Sequence, residues 1–117
     1  MLEDYVMENN GEIQKQVIDL GLRRNGTLDE NAYTQMGAQL GYALKQILVG
    51  VEPFLDVRGT TGEIAALSAA LGMEKRHLED IIKYGANSPQ ARRSLGTTNQ
   101  AASRFQKVTG IPWPFSS

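Results

Sequence analysis

The sequence has no cysteine and a single histidine among its 117 residues. The lack of cysteine excludes a disulfide framework, a thiolate nucleophile and every zinc site that needs sulfur. Long apolar runs are also missing, and the first ten residues carry neither a basic leader nor an apolar stretch. We therefore expect a cytoplasmic protein that is neither secreted nor inserted in a membrane.

Residue patterns typical of catalysis are equally sparse. His77 lies one helical turn from Glu74 and from Asp80, but a lone histidine in this setting is more often a solvated or partly packed residue than a metal ligand. Residues 59–62 lack the lysine of a phosphate-binding loop, and Ser68 has no base at helical spacing. The sequence predicts no enzyme, no cofactor and no metal site.

Acidic residues are absent from Gly85 onward, which makes the charge distribution uneven. Residues 1–56 carry four basic and nine acidic side chains, and residues 57–117 carry eight basic and four acidic ones, within a net charge of −1. Two interpretations stay open. Either the basic half offers a surface to a polyanion, or the two halves attract each other.

Helix-start patterns punctuate the chain. A threonine followed three residues later by Glu or Gln can form a capping box, in which each side chain binds the other residue's backbone N–H. This pattern occurs at Thr27 with Glu30, at Thr60 with Glu63, and at Thr97 with Gln100. Ser88 before Pro89 marks a further start.

No segment alternates apolar and polar residues with turn chemistry at its ends, so we predict an all-α fold. The expected architecture is one domain, residues 1–117, built as a compact bundle of about five to six helices. In the first helix, Ile13, Val17 and Leu20 share one stripe, and the helix ends at Gly26. The other predicted helices cover residues 27–50, 61–71, 74–84, 89–96 and 97–109.

Residues 67–85 predict a two-helix corner. Gly72 supplies the turn, and Leu78, Ile81 and Ile82 anchor the second helix. This stretch resembles the helix-turn-helix superfamily. Residues 70–89 are similar to the first such motif of AraC-type activators in three short segments, Ala-Leu-Gly-Met, Arg-His-Leu-Glu and Ser-Pro. The resemblance covers about a fifth of the chain and implies DNA binding by the second helix of the corner.

The candidate DNA contacts are the cationic and amide side chains of the second half. They are Lys75, Arg76, Lys83, Arg92, Arg93, Asn99, Gln100, Arg104 and Lys107. Within the corner, Asp80 lies one turn from both Arg76 and Lys83, so these three side chains also fit an ordinary solvated face of paired charges. The acid-free segment after Gly85 is the stronger electrostatic candidate, because its cations could each neutralise a phosphate.

Four residues are candidates for contact with a partner chain. Gly37 and Gly41 lower helix propensity within residues 27–50, which indicates that another backbone passes close by. Trp113 and Phe115 belong to an apolar tail interrupted by prolines. This tail could dock into a groove on a partner, or it could pack on its own core.

Together these patterns favour a small, dimeric helix-turn-helix DNA-binding protein, either a transcriptional regulator or a phage or plasmid type. The acidic half, residues 1–56, would form the homo-oligomer, and the basic half, residues 57–117, would contact double-stranded DNA. The competing hypothesis is an all-helical adaptor, inhibitor or chaperone that binds protein and not DNA. The charge asymmetry and the motif favour the first hypothesis, whereas pI 5.8, Asp80 and the Trp113 tail favour the second.

Overall fold

The computed structural model describes residues 16–115, which form three helices and a small two-stranded sheet. In chain order the elements are β1 (Gln16–Asp19), α1 (Glu30–Leu48), β2 (Leu55–Arg58), α2 (Thr61–Tyr84) and α3 (Pro89–Thr109). The predicted all-α bundle of five to six helices is therefore wrong. One strand replaces the first predicted helix, and two pairs of predicted helices are each a single long helix.

The two strands lie parallel, with Ile18 of β1 opposite Val57 of β2. The backbone of Leu20 extends the ladder, since its N–H donates to the Arg58 carbonyl at 2.8 Å. Ile18 and Leu20 are fully buried, whereas Val17 before them is exposed and Asp19 between them is half-buried, which is the two-residue period of a strand. The helical stripe predicted through Val17 and Leu20 is thus wrong, and its third member, Ile13, lies outside the described residues.

Helix α1 matches the predicted long helix, with a different cap. Asp29 Oδ1 accepts from the Ala32 N–H at 2.8 Å, whereas the Thr27 hydroxyl donates to the Leu22 carbonyl at 3.3 Å. The predicted capping box at Thr27 is therefore wrong. The helix ends at Leu48, just before Gly50, as predicted.

Helix α2 begins as predicted. Thr60 Oγ1 accepts from the Glu63 N–H at 3.1 Å, and Glu63 Oε1 accepts from the Thr60 N–H at 2.8 Å, which completes the capping box. The helix then continues through Gly72 without a break, so the predicted two-helix corner is wrong. Leu71 and Glu74 are both buried on either side of Gly72, and packing of this face outweighs the low helix propensity of one glycine.

Helix α3 also begins at its predicted cap, because Ser88 Oγ accepts from the Ala91 N–H at 3.1 Å. The predicted stop at Gly96 and restart at Thr97 are wrong. The Thr97 hydroxyl instead donates to the Arg93 carbonyl one turn earlier at 3.2 Å, as a threonine inside a helix does. With a short connection between them, α2 and α3 form a helical hairpin.

The core lies between this hairpin, α1 and the sheet, and the tail after α3 closes it. Its largest fully buried side chains are Phe105, Ile18, Leu20, Leu40 and Ile111. No helix within residues 16–115 combines the length and apolar character needed to cross a bilayer.

Gly110 turns the chain from α3 into the tail. Its φ of 72° is left-handed, and a Cβ at this position would lie 2.7 Å from Arg23 Cγ. We expect Gly110→Ala to lower the free energy of unfolding by about 1–2 kcal/mol, from the backbone conformation alone. Urea unfolding measures this change.

The matched control is Gly72→Ala, at a glycine with helical backbone and nothing within 4 Å of an added Cβ. We expect this variant to raise the free energy of unfolding by about 0.5–1 kcal/mol. A loss of stability in Gly72→Ala would contradict the continuous α2 and would favour the predicted turn.

Candidate nucleic-acid interface

Two of the candidate DNA contacts on α2 are paired with acids of the same helix. Lys75 Nζ lies 2.9 Å from Glu79 Oε2, and Arg76 Nε lies 3.8 Å from Asp80 Oδ2. Both pairs have the i,i+4 spacing that stabilises solvated helices. Each of these cations therefore has an acid beside it on the same helix.

The end of α2 differs from the prediction. Ile82, expected to anchor the helix inward, is 77% exposed, whereas Leu78 does pack against the core. Lys83 Nζ lies 5.2 Å from the centre of the Tyr84 ring, a cation–π distance. Lys83 is thus next to an aromatic side chain, in the last turn of α2.

Helix α3 has one buried side and one open side. The buried side consists of Ala91, Ser94, Thr98, Ala102, Phe105 and Thr109. At about 100° per residue, the residues opposite this side are Arg93, Gly96, Gln100, Ser103, Arg104 and Lys107, all of them exposed. We call this set the α3 outer face.

The α3 outer face brings together four of the nine candidate DNA contacts. Arg93 and Lys107, at its two ends, are 14 positions apart, which is about 21 Å along a helix. Residues Asn99, Gln100, Ser103, Arg104 and Lys107 line a shallow depression of about 570 Å³ on this side of the helix. Arg92 and Asn99 lie on the adjacent flank.

The cations of α3 carry no neutralising partner in the part of the chain that the structure describes. Its ion pairs are Arg24–Glu63, Arg58–Asp56, Lys75–Glu79 and Arg76–Asp80. None of them involves Arg92, Arg93, Arg104 or Lys107. Two of these pairs join residues 1–56 to residues 57–117, namely Arg24–Glu63 and Arg58–Asp56, and the acidic half supplies the cation in the first and the carboxylate in the second.

The four residues predicted to bind a partner chain lie where the tail packs against α1 and the core. A Cβ placed on Gly37 would lie 3.5 Å from Pro114 Cβ, and one on Gly41 would lie 3.8 Å from Phe115 Cε1. Trp113 is buried against the core. The neighbours of α1 at Gly37 and Gly41 are therefore side chains of the tail of the same chain. Contact with another chain through these residues stays a prediction.

His77 serves as a link between the two long helices. Its Nδ1 lies 3.1 Å from Ser94 Oγ, and the Ser94 hydroxyl also lies within hydrogen-bond distance of the Ala91 carbonyl at 3.2 Å. Because Ser94 is buried, a substrate has no direct access to its oxygen. The pair is better suited to holding α2 against α3 than to nucleophilic chemistry.

No protein-family model, curated protein or solved structure matches this chain. The resemblance to the helix-turn-helix superfamily thus rests on local sequence alone, and the structure places the residues that carry it in a single helix and the loop that follows.

Sequence reasoning missed two members of the α3 outer face, Gly96 and Ser103. The helical period of Ala91, Ser94, Thr98, Ala102 and Phe105 runs unbroken across Gly96 and could have identified both. Reading Gly96 as a helix end concealed this period.

Proposed function

We propose that this protein binds double-stranded DNA through the α3 outer face, whose cations contact the phosphate backbone. One observation carries the proposal. Arg92, Arg93, Arg104 and Lys107 are exposed and without an ion pair among residues 16–115, in a segment where no acid follows Asp80. A helix with unneutralised cations along about 21 Å attracts a polyanion and releases its counterions.

This proposal does not use a helix-turn-helix corner. It assigns the contact to α3 rather than to the second half of α2, where Glu79 and Asp80 oppose phosphate binding. The competing hypothesis of a protein-binding adaptor used the long helix and the Trp113 tail as its surfaces. In this structure the tail packs against α1 at Gly37 and Gly41, and Trp113 is buried.

A salt titration tests the proposal. Binding of the full chain to a short duplex of random sequence is followed by fluorescence anisotropy from about 50 to 200 mM salt. If three or four cations each neutralise one phosphate, the logarithm of the binding constant falls against the logarithm of salt with a slope of about −3 to −4. In the double variant Arg93→Ala, Arg104→Ala the magnitude of this slope drops by about 2.

The matched control is the double variant Lys45→Ala, Arg58→Ala, which removes the same charge from α1 and β2. It should retain the slope of the unmodified protein. Absence of binding at the lowest salt would refute the proposal, and so would an equal loss of slope in the control.

A further inference from the structure

Gly96 lies in the middle of the α3 outer face and has no packing role within the described chain. A Cβ added to it would have no atom within 4 Å, apart from its own helix and chain neighbours. The helix continues through it for thirteen more residues, to Thr109, although glycine disfavours helix formation relative to alanine. A helical glycine on an open surface permits close approach of something outside the chain.

Gln100 is the polar side chain best placed to contact a ligand that approaches the helix at Gly96. It follows Gly96 by four residues, so the two share one line along the helix. Because the Cα–Cβ bond leans toward the helix N-terminus, Gln100 extends over the turn that contains Gly96. Arg93 lies one turn before Gly96, and Arg104 lies one turn after Gln100. An uncharged hydrogen-bonding group is thereby flanked by a cation on each side.

The exposed positions of α3 extend from Leu95 on one flank to Val108 on the other, which covers more than half of its circumference. A helix packed on only one side can enter the major groove of B-DNA, which is about 12 Å wide. The major groove of duplex RNA is too narrow and deep for this. Duplex DNA is therefore the nucleic acid that the shape and charge of α3 accommodate.

We infer that α3 lies in the major groove with Gly96 at the point of closest approach, where Gln100 recognises an adenine. The Gln100 amide would donate to adenine N7 and accept from its N6 amino group, while Arg93 and Arg104 hold phosphates on either side. This inference rests on the proposed function and adds sequence specificity to it.

Selection of duplexes from a random-sequence pool tests the base contact. We expect the unmodified protein to enrich sites that share an A·T pair and to discriminate against its replacement by about tenfold or more. Gln100→Ala should lose this discrimination and keep the salt slope, because it removes no charge. A duplex RNA of the selected sequence should bind more weakly than the DNA.

A second pair of variants tests the close approach. Gly96→Leu and Gly72→Leu place the same side chain on an open helical glycine, on the α3 outer face and on α2 respectively. Both should raise the unfolding midpoint by about 2–6 °C, since leucine favours the helix. Only Gly96→Leu should weaken DNA binding, by about tenfold or more, because the base edge then meets a side chain.

The outcomes separate the two proposals. Absence of salt-dependent binding refutes the proposed function itself. Where salt-dependent binding is observed, any of three results overturns only the groove contact. Selection enriches no sequence, duplex RNA binds equally well, or Gly96→Leu binds like Gly72→Leu. Retention of the selected preference in Gln100→Ala removes the role of Gln100.

Discussion

Replacing Trp113 by alanine is expected to lower the free energy of unfolding by about 3–5 kcal/mol. The Trp113 side chain is 3% exposed. Its ring meets Phe105 edge to face at 5.0 Å and Phe115 at 5.5 Å between ring centres. Alanine would leave a cavity where the tail closes the core, and the surrounding backbone can fill it only in part.

Trp113 also satisfies a buried carboxylate. Its indole N–H donates to Glu74 Oε1 at 2.9 Å, and Glu74 is buried. Trp113→Phe keeps most of the packing and removes this donor, so we expect an intermediate loss of about 1–3 kcal/mol. Adding Glu74→Leu to Trp113→Phe should recover part of that loss, because the unsatisfied carboxylate is then gone as well.

Urea unfolding of the three variants measures these changes. Ile82→Ala is the control, since this side chain is 77% exposed and its removal should change the free energy of unfolding by less than about 0.5 kcal/mol. A loss in Trp113→Ala as small as that of the control would contradict the packed tail. It would favour the tail as an arm for a partner chain.

The helix starts that depend on neighbours in sequence could be predicted. The Thr60 capping box and the Ser88 cap each involve residues no more than three positions apart, and their hydrogen bonds form as predicted. The Thr27 box failed for an equally local reason. Asp29, two residues later, is a strong N-cap residue, and its side chain accepts the hydrogen bond from the first turn of the helix.

The breaks predicted at Gly72 and Gly96 failed because tertiary packing decides them. Each glycine lies on the exposed side of a helix whose opposite side is buried. The packing of α2 against α3 favours continuity by more than one glycine disfavours it. The helix propensity of a segment contains no information about the helix that packs against it.

The sequence did not predict the two strands, because they depend on pairing between distant segments. Each has only four residues, and β1 pairs with a segment 39 positions later along the chain. Neither is stable alone, and nothing in either segment specifies the other. The alternation of Ile18 and Leu20 was too short to outweigh a helical spacing that Val17 and Leu20 also satisfied.

The candidate site was predicted in composition but not in arrangement. The absence of acids after Gly85 identified Arg93 and Arg104 as candidates. A break at Gly96 would have placed them on different helices, whereas the continuous α3 aligns them on one face. The site therefore depends on the same packing that joins the helix.

Glu63→Ala is expected to lower the free energy of unfolding by about 2–3 kcal/mol. The carboxylate is buried and accepts from the Thr60 N–H at 2.8 Å and from Arg24 Nη2 at 2.9 Å. Alanine removes the capping box of α2 and the ion pair between Glu63 and Arg24. Glu63→Gln keeps the cap and loses only the charge, so urea unfolding should place it between the unmodified protein and Glu63→Ala.

The same ion pair predicts how stability depends on pH. The Arg24 hydrogen bond is the main cause that holds the pKa of Glu63 below its ordinary value of 4.5; burial opposes it and the Thr60 N–H assists it. As the pH falls, Glu63 takes up a proton in the unfolded chain before it does so in the folded chain. The contribution of its charge to the free energy of unfolding is therefore complete above pH 4.5 and is lost as the pH falls through the lower pKa of the folded state. Glu63 raises the pKa of Arg24 in turn, but the guanidinium stays protonated in both states and adds no transition near neutral pH.

The stability difference between the unmodified protein and Glu63→Gln should therefore be constant from about pH 7 to pH 5 and should shrink toward pH 3. Urea unfolding across this range measures it. A difference that did not change with pH would show that the carboxylate acts only as a cap, since glutamine caps equally at every pH. A difference that grew as the pH fell would reverse the sign and contradict the ion pair.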